Sequence, residues 1–289
     1  MIEEGFLDVT GGRVWYRRFG SGKNAAPLLV LHGGPGSSHL PLEALDELAE
    51  ERDIIYYDQL GGGYSERPED TDLWHIDRFV EELDLVRKGL SLDVVHILGH
   101  SWGTTLLAAY LLTKPEGVKS AIFSSPCLSA AMWADDQKRL LLDMPQDIQE
   151  IINRCEAEGT TDSQEYKDAS KQYYKKHLCR IDPLPEVSVK GMKLGNSEIY
   201  NLMWGPSEFC VTGNLKDFDA TPRLGELSLP ALYLCGKYDE ATPESTGFFS
   251  TLTPRSEFHV FEKSSHTPYL EQTGEYMNIV GSFLRRTEG

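Results

Sequence analysis

The 289-residue sequence predicts an α/β fold, with a mostly parallel sheet flanked by helices and a helical segment inserted into it. Three observations lead to this prediction. Short apolar runs alternate with stretches of helical periodicity through residues 1–126. A polar, helix-rich segment then interrupts the pattern at residues 127–223. The alternation of strands and helices returns within residues 224–289.

The first part of the core, residues 1–126, begins with a predicted β-hairpin around the turn Thr10-Gly11-Gly12. The apolar runs that follow are typical of strands buried on both faces of a parallel sheet. These strands are predicted at 27–31, 54–57, 94–98 and 121–123. Helices are predicted between them at 42–51, 76–90 and 104–113, the second from apolar residues that recur at helical spacing.

Residues 127–223 are predicted to form a helical cap, inserted between the two parts of the core. The segment is rich in Asp, Glu, Gln, Lys and Tyr, and its helical stretches lie at 138–142, 148–154 and 166–177. The second part of the core has predicted strands at 230–235 and 257–261 and helices at 244–252 and 271–285. Two sequential domains fit less well, because this second strand pattern is too short to fold alone.

Charge and cysteine content exclude several classes of partner. The net charge is −17, from 45 acidic against 28 basic residues, which argues against binding to nucleic acid or an anionic membrane. The five cysteines show neither zinc-ligand nor disulfide-framework spacing. No signal-peptide pattern and no apolar run of about 20 residues are visible. We therefore expect a soluble, cytoplasmic protein without metal or cofactor; its oligomeric state stays open.

A nucleophile motif follows the predicted strand at 94–98. Residues 99–103, Gly-His-Ser-Trp-Gly, match G-x-S-x-G, and a predicted helix comes directly after them. Strand, tight turn and helix form the context in which α/β hydrolases present a nucleophilic serine. The sequence therefore predicts the α/β-hydrolase fold, with Ser101 as nucleophile. An aspartate nucleophile, as dehalogenases and epoxide hydrolases use, is excluded by this serine.

The acid and base follow the nucleophile in the chain order of this fold. Asp239 lies just after the strand predicted at 230–235, and His266 lies after the strand at 257–261. We expect His266 to be the general base and Asp239 to orient it. His96, within a strand, and His177 and His259, without strand-end context, fit less well.

A glycine-rich turn, His-Gly-Gly-Pro-Gly at 32–36, follows the strand at 27–31. Its backbone N–H groups, with Gly34 as the candidate donor, would form an oxyanion hole together with the N–H of Trp102. An ordinary glycine turn is the alternative for this stretch alone. Nucleotide-binding glycine motifs are absent from the sequence.

The sequence resembles the proline iminopeptidase (prolyl aminopeptidase) family of α/β hydrolases over nearly its whole length. The resemblance is carried by the turn at 32–36, Asp-Gln-Leu-Gly-Gly-Gly-Tyr-Ser at 58–65, the nucleophile motif, Gly-Pro-Ser-Glu-Phe at 205–209 and Tyr-Asp-Glu-Ala-Thr-Pro at 238–243. Leu60 and Trp204 depart from the family pattern, where Arg and Asn are common. They leave the side-chain preference of the site open.

The resemblance implies release of one N-terminal residue, often proline, with Glu208 and Glu240 binding the free α-amine. Because that amine has a reference pKa near ~8, it is largely charged at neutral pH and needs carboxylates in a closed pocket. Trp102, Trp204, Phe209 and Tyr238 are candidates for an aromatic wall around a pyrrolidine ring or for packing between cap and core.

Three hypotheses about function remain at this stage. The first is a serine aminopeptidase that acts on short peptides through an acyl-enzyme. The second is an amidase or esterase that acts on amino acid amides or other small acyl compounds. The third, a hydrolase-fold protein that binds without turnover, is disfavoured by the intact set of Ser101, Asp239 and His266.

Overall fold

The computed structural model describes residues 2–20, 22 and 25–288, so residues 1, 21, 23, 24 and 289 of the predicted core segments lie outside it. In this range the strands are β1 (Ile2–Val9), β2 (Gly12–Phe19), β3 (Leu28–Leu31), β4 (Ile54–Tyr57), β5 (Val95–His100), β6 (Val118–Ser124), β7 (Ala231–Gly236) and β8 (Ser256–Phe261). The α-helices are α1 (Ile76–Gly89), α2 (Trp102–Leu111), α3 (Ala130–Leu142), α4 (Gln146–Glu158), α5 (Gln164–His177), α6 (Glu186–Lys193), α7 (Ser197–Met203), α8 (Pro243–Leu252), α9 (Pro268–Glu271) and α10 (Thr273–Arg286).

The strands form one sheet in the order β1-β2-β4-β3-β5-β6-β7-β8. Strands β1 and β2 form an antiparallel hairpin, and β2 pairs antiparallel with β4. Every other pairing in the sheet, from β4 to β8, is parallel. The chain leaves β3 toward β4 on one side, and β5 then pairs with β3 on the other side. The carboxyl ends of β3 and β5 therefore meet where the strand order reverses, which is where open α/β sheets bind ligands.

The sheet is buried on both faces by two apolar clusters. In β3, Leu29 and Leu31 face the cluster with α1 and α2, whereas Leu28 and Val30 face the cluster with α10. This alternation follows from the two-residue period of a strand. It explains why β3, β4, β5 and β7 appear in the sequence as continuous apolar runs. The predicted mostly parallel α/β fold is confirmed.

Between β6 and β7 the described chain forms helices α3 to α7, and the sheet gains no strand there. Side chains of α3, α4 and α5, including Leu141, Ile152 and Tyr173, share a small apolar cluster of their own. The inserted helical segment thus has some internal packing. Its limits as a unit, residues 127–223, stay a prediction.

Several elements differ from the sequence prediction. The helix expected at 42–51 is a 3-10 helix over Leu40–Glu50, with Pro41 in its first turn. Helix α2 begins at Trp102 rather than at residue 104, and the helix expected at 271–285 begins at Thr273 as α10, after the separate short helix α9. Helices α6 and α7 were not predicted; they have only eight and seven residues. No described helix is both long and apolar enough to cross a membrane.

Candidate active site

Ser101 occupies the sharp turn between β5 and α2. Its backbone is in the left-handed region, with φ 53° and ψ −123°, a conformation that costs a non-glycine residue free energy. The helix starts at the next residue, so the first N–H groups of α2, which have no intrahelical acceptors, surround the serine. The turn thereby presents the Ser101 side chain at the positive end of the helix dipole.

The glycines on either side of Ser101 allow this turn to fit under the sheet. A Cβ atom at Gly99 would collide with the carbonyl oxygen of Gly103, and one at Gly103 would collide with that of Leu31 in β3. Only glycine lets α2 and β3 approach this closely. The spacing of the motif is therefore a packing requirement of the strand–turn–helix unit.

Asp239 and His266 form a buried carboxylate–imidazole pair at the carboxyl ends of β7 and β8. The His266 Nδ1 atom lies 2.7 Å from Asp239 Oδ1, and both side chains are almost fully buried. The Asp239 carboxylate also accepts hydrogen bonds from the Ala241 N–H at 2.7 Å and from Ser125 Oγ at 2.7 Å. These bonds fix the carboxylate and leave His266 Nε2 facing away from it, toward the cavity.

Ser101 and His266 line the same cavity, of about 660 Å³. Among the described residues, no hydrogen bond joins the hydroxyl of Ser101 to the His266 ring. Such bonds are often long or misaligned before a substrate binds. The structure therefore brings the three predicted residues together at one edge of the sheet, with the Asp239–His266 contact formed.

The glycine-rich turn after β3 lies beside Ser101. A Cβ atom at Gly33 would lie 3.1 Å from Ser101 Cβ, and Gly34 has a φ of 42°. Gly34, Ser101 and Trp102 line one narrow cavity. The two predicted oxyanion donors thus lie beside the serine, and their role stays a prediction.

His32 and Gln59 support this turn, and no individual role was predicted for either residue. The Gln59 N–H donates to His32 Nε2 at 3.0 Å, while His32 Nδ1 lies 2.9 Å from the Gly33 carbonyl oxygen. Burial lowers the pKa of His32, which favours the neutral ring that this pattern requires. The Gln59 side chain then accepts from the Trp102 indole N–H at 2.7 Å, so it connects the turn to α2.

Two glutamates, Glu240 buried and Glu208 half-buried, reach the same cavity. Glu240 is 1% exposed, neither of its carboxylate oxygens has a hydrogen-bond partner in the described chain, and Oε1 lies 3.7 Å from His266 Nε2. Glu208 comes from the segment after α7 and accepts a hydrogen bond from Tyr200 at 2.5 Å. Burial raises the pKa of Glu208, and burial with repulsion from Glu208 and Asp239 raises that of Glu240 well above its ordinary value.

This carboxylate pair is an unbalanced concentration of negative charge. Buried carboxylates without hydrogen bonds are costly, and a cation between them would remove most of that cost. The cation would sit within a few ångströms of His266 and Ser101. Among the residues that the structure describes, no group of three or more His, Cys, Asp or Glu side chains is placed to hold a metal ion.

The predicted aromatic wall is formed only in part. Trp102 and Trp204 line the narrow cavity beside Ser101, together with Trp133, which the sequence analysis did not single out. Phe209 instead packs edge-on against Tyr173 in the helical segment, with ring centroids 4.5 Å apart. The Tyr238 ring is covered by the Arg180 guanidinium at 3.8 Å. These last two side chains line neither cavity described above.

His177 and Trp133 connect the inserted helices to the site. The backbone carbonyl of His177 accepts from the His266 N–H at 3.2 Å, and its ring Nδ1 lies 2.8 Å from the Tyr238 carbonyl oxygen. The Trp133 indole N–H donates to the Glu208 carbonyl oxygen at 3.2 Å. Nothing in the sequence marks these contacts, because they join segments far apart in the chain.

Comparisons with known proteins agree with this geometry. The family model of the alpha/beta hydrolase fold matches residues 26–273. A proline iminopeptidase of Heyndrickxia coagulans is 58% identical over 285 residues, which cover 98% of this chain and 99% of that protein. The crystal structure of VinJ superposes with a TM-score of 0.95, and that of proline iminopeptidase from Mycobacterium smegmatis with 0.91. Both are 32% identical, and each comparison covers 99% of both chains.

Proposed function

The chain belongs to the proline iminopeptidases of the α/β-hydrolase family, and from that premise we propose how its residues release an N-terminal residue, preferably proline, from a short peptide. The observation that carries the proposal is the placement of two carboxylates, the buried and unpartnered Glu240 and the half-buried Glu208, beside Ser101 and His266 in one cavity. An aminopeptidase must recognise a free terminal amine next to the bond that it cleaves. These carboxylates offer that recognition.

In the proposed acylation step, the Ser101 hydroxyl attacks the carbonyl carbon of the first peptide bond. His266 Nε2 accepts the hydroxyl proton, while Asp239 holds the Nδ1–H and stabilises the imidazolium. The carbonyl oxygen becomes negatively charged and is bound by the N–H groups of Gly34 and Trp102. His266 then protonates the leaving amine, and the acyl-enzyme remains on Ser101.

In the proposed deacylation step, water attacks the ester carbonyl and His266 takes a proton from it. The tetrahedral intermediate is held by the same two N–H groups, and its collapse returns the proton to Ser101 and frees the amino acid. Every proton transfer uses His266 Nε2, which the Asp239 contact at Nδ1 leaves available.

Glu208 and Glu240 are proposed to bind the substrate ammonium group. Both have raised pKa values in the free enzyme, and a bound cation would restore their ionised forms. Their position beside Ser101 places the ammonium group on the same substrate residue as the carbonyl that Ser101 attacks. A substrate with a blocked amine would leave the Glu240 carboxylate buried without a partner, so it would bind poorly.

Hydrolysis of amino acid amides is the second candidate, since it uses the same amine and the same acyl-enzyme. The two reactions differ only in the group that leaves, and hence in contacts on the outer side of Ser101. A small peptide, or an amino acid derivative, is the substrate class that either reaction requires.

Location in the cytoplasm stays a prediction from the spacing of the cysteines.

The test compares initial rates on L-prolyl-p-nitroanilide and on its N-acetylated form. The wild-type enzyme should cleave the free amine and leave the blocked one nearly untouched. The Ser101→Ala variant should lose up to about a million-fold in kcat, because members of a catalytic triad act as a unit. The Glu208→Gln variant should mainly raise KM for the free amine.

Glu198→Gln is the matched control, because Glu198 is exposed on the neighbouring helix α7. It should behave like the wild type. Similar rates on the free and the blocked anilide would remove the amine role from the glutamates. Substantial turnover by Ser101→Ala would remove the proposed nucleophile.

A further inference from the structure

The cavity that contains Ser101 continues well beyond the reacting groups. Its volume of about 660 Å³ lies within the range of roughly 300–1,000 Å³ that encloses a drug-sized ligand. A single prolyl residue with its carbonyl at Ser101 would fill only part of this larger space. The larger space is therefore available to the part of the substrate that leaves.

The outer rim of this cavity carries positive charge. Lys171 and Lys175 lie four residues apart on α5, so they share one face of that helix, and Arg180 follows its carboxyl end. Asp182 is the acidic side chain that lines the cavity beside them, whereas Glu208 and Glu240 line it next to Ser101. In this part of the lining, three cations thus accompany one carboxylate, in a protein whose overall net charge is −17.

These cations are incompletely neutralised by the protein itself. Lys171 pairs with the exposed Asp168 at 2.8 Å, and Lys175 lies 3.5 Å from Asp182. The Arg180 backbone N–H donates to Glu271 Oε1 at 2.9 Å, but within the part of the chain that the structure describes no carboxylate lies within ion-pair distance of its guanidinium. Its planar face rests on the Tyr238 ring at 3.8 Å, which holds the group at the rim with its N–H donors available.

The cavity therefore has opposite charges at its two ends. The inner end holds Glu208 and Glu240, the outer rim holds the three cations, and the wall between them includes Tyr174, Leu178 and Ile181. A short peptide with free ends has the complementary arrangement, with an ammonium at one end and a carboxylate at the other. An amino acid amide has only the ammonium.

We propose that Arg180, Lys175 and Lys171 bind the C-terminal carboxylate of the substrate, so that the enzyme selects short peptides with a free C-terminus over amides. This inference rests on the proposed function, because it requires the amine at Glu208 and Glu240. The carboxylate belongs to the leaving peptide, and the apolar wall contacts its side chains. The rim residues thus select the leaving group, and the catalytic residues make no such selection.

The experiment measures kcat and KM for two matched substrates, Pro-Leu-Gly and Pro-Leu-Gly amide. The wild-type enzyme should show about a tenfold lower KM for the free acid, since each exposed ion pair contributes a factor of about 1.5 to 5. The Lys175→Gln/Arg180→Gln double variant should lose most of this preference through KM, with kcat unchanged. Raising the ionic strength should reduce the wild-type preference, because exposed charges are screened over about 10 Å at 0.1 M salt.

Lys167→Gln removes the same charge from the same helix, α5, at an exposed position outside the cavity lining, and should keep the preference. Prolyl-p-nitroanilide, which has no carboxylate, should be cleaved equally by all of these variants. An equal KM for acid and amide in the wild type would overturn the carboxylate site. So would an unchanged ratio of these two KM values in the double variant. Cleavage of the anilide would leave the proposed function intact in both cases. Absence of cleavage of every free-amine prolyl substrate would instead overturn the proposed function.

Discussion

Glu240 shows at the scale of one residue how substrate recognition opposes stability. Its carboxylate is buried, has no hydrogen-bond partner in the described chain and lies near another buried carboxylate. The folded protein therefore holds a proton on this pair more tightly than the unfolded chain does. The free enzyme carries this unfavourable group, and the substrate ammonium offsets it on binding.

We expect Glu240→Gln to stabilise the free enzyme and to weaken catalysis. Because the folded pKa of Glu240 is raised above an unfolded value near ~4.3, the folded state binds more protons, and stability falls as pH rises between the two values. The variant should therefore gain about 1–3 kcal/mol in free energy of unfolding at pH 8 and little below pH 4. Urea unfolding at both pH values measures the gain, and kcat/KM on the prolyl anilide should fall.

The matched control is Glu150→Gln, an exposed change of the same type on α4. Its stability should stay within about 0.5 kcal/mol of the wild type at both pH values. If Glu240→Gln destabilised the enzyme at pH 8, the carboxylate would have a favourable partner in the free protein, and the unbalanced-pair interpretation would be wrong.

At the scale of elements, the turn between β5 and α2 depends on close approach of backbones. We expect Gly103→Ala to lower the free energy of unfolding by more than about 3 kcal/mol, since the added Cβ atom would collide with the Leu31 carbonyl oxygen and β3 or α2 would have to shift. Activity per folded molecule should fall as well, because the shift moves Ser101 relative to Gly34. Urea unfolding and active-site titration measure the two effects.

Gly274→Ala is the control for this substitution. Gly274 lies in the first turn of α10, and a Cβ atom there would meet nothing within 4 Å. Alanine at this position should be neutral or stabilise by up to about 1 kcal/mol, because it is the better helix former. A similar loss at both glycines would indicate a general cost of the replacement rather than a collision at the nucleophile turn.

The elements that the sequence predicted well are those with a strong local pattern. β3, β4 and β5 are short apolar runs, and the nucleophile motif lies between strand and helix, so Ser101 could be identified before its surroundings were known. Asp239 and His266 followed from chain order and strand ends. Their contact at 2.7 Å needed the sheet, which brings β7 and β8 side by side.

The residues that the sequence did not reveal act through long-range contacts. Ser125 at the end of β6 donates to Asp239, 114 positions away in the chain, and Gln59 bridges His32 and Trp102. Serine and glutamine occur too commonly for either to be singled out by type. Phe209 and Tyr238 were considered for the aromatic wall, yet local sequence could not tell that both rings face elsewhere.

In the molecule as a whole, the two opposite ends of the strands have different roles. The carboxyl ends of β3, β5, β7 and β8 carry the site. Near their opposite ends, the Glu288 carboxylate lies 2.5 Å from Arg52, 3.4 Å from His96 and 3.8 Å from Lys119. Arg52 is 2% exposed, so Glu288 balances a buried charge. This contact fixes the chain after α10 against the sheet.

We expect Glu288→Gln to lower the free energy of unfolding by about 1–3 kcal/mol at pH 7. Removing one partner of a fully buried pair costs about 3–5 kcal/mol, and the 28% exposure of Glu288 reduces that cost. Burial alone would raise the pKa of Glu288, but the hydrogen bond and charge of Arg52 hold it below its ordinary value. Its contribution is therefore present above pH ~4.3 and is lost as pH falls through the folded pKa.

The difference between wild type and Glu288→Gln in urea unfolding should therefore shrink between pH 7 and pH 3. Glu257→Gln is the control, since it removes an exposed ion pair with Arg286 at 2.6 Å, and it should cost less than about 1 kcal/mol. Equal losses in the two variants would mean that Arg52 is solvated when Glu288 is neutral. In that case the segment after α10 would be held by its other contacts, such as the hydrogen bond of Thr287 Oγ1 to the Phe283 carbonyl oxygen, and stability would not depend on the Glu288 charge.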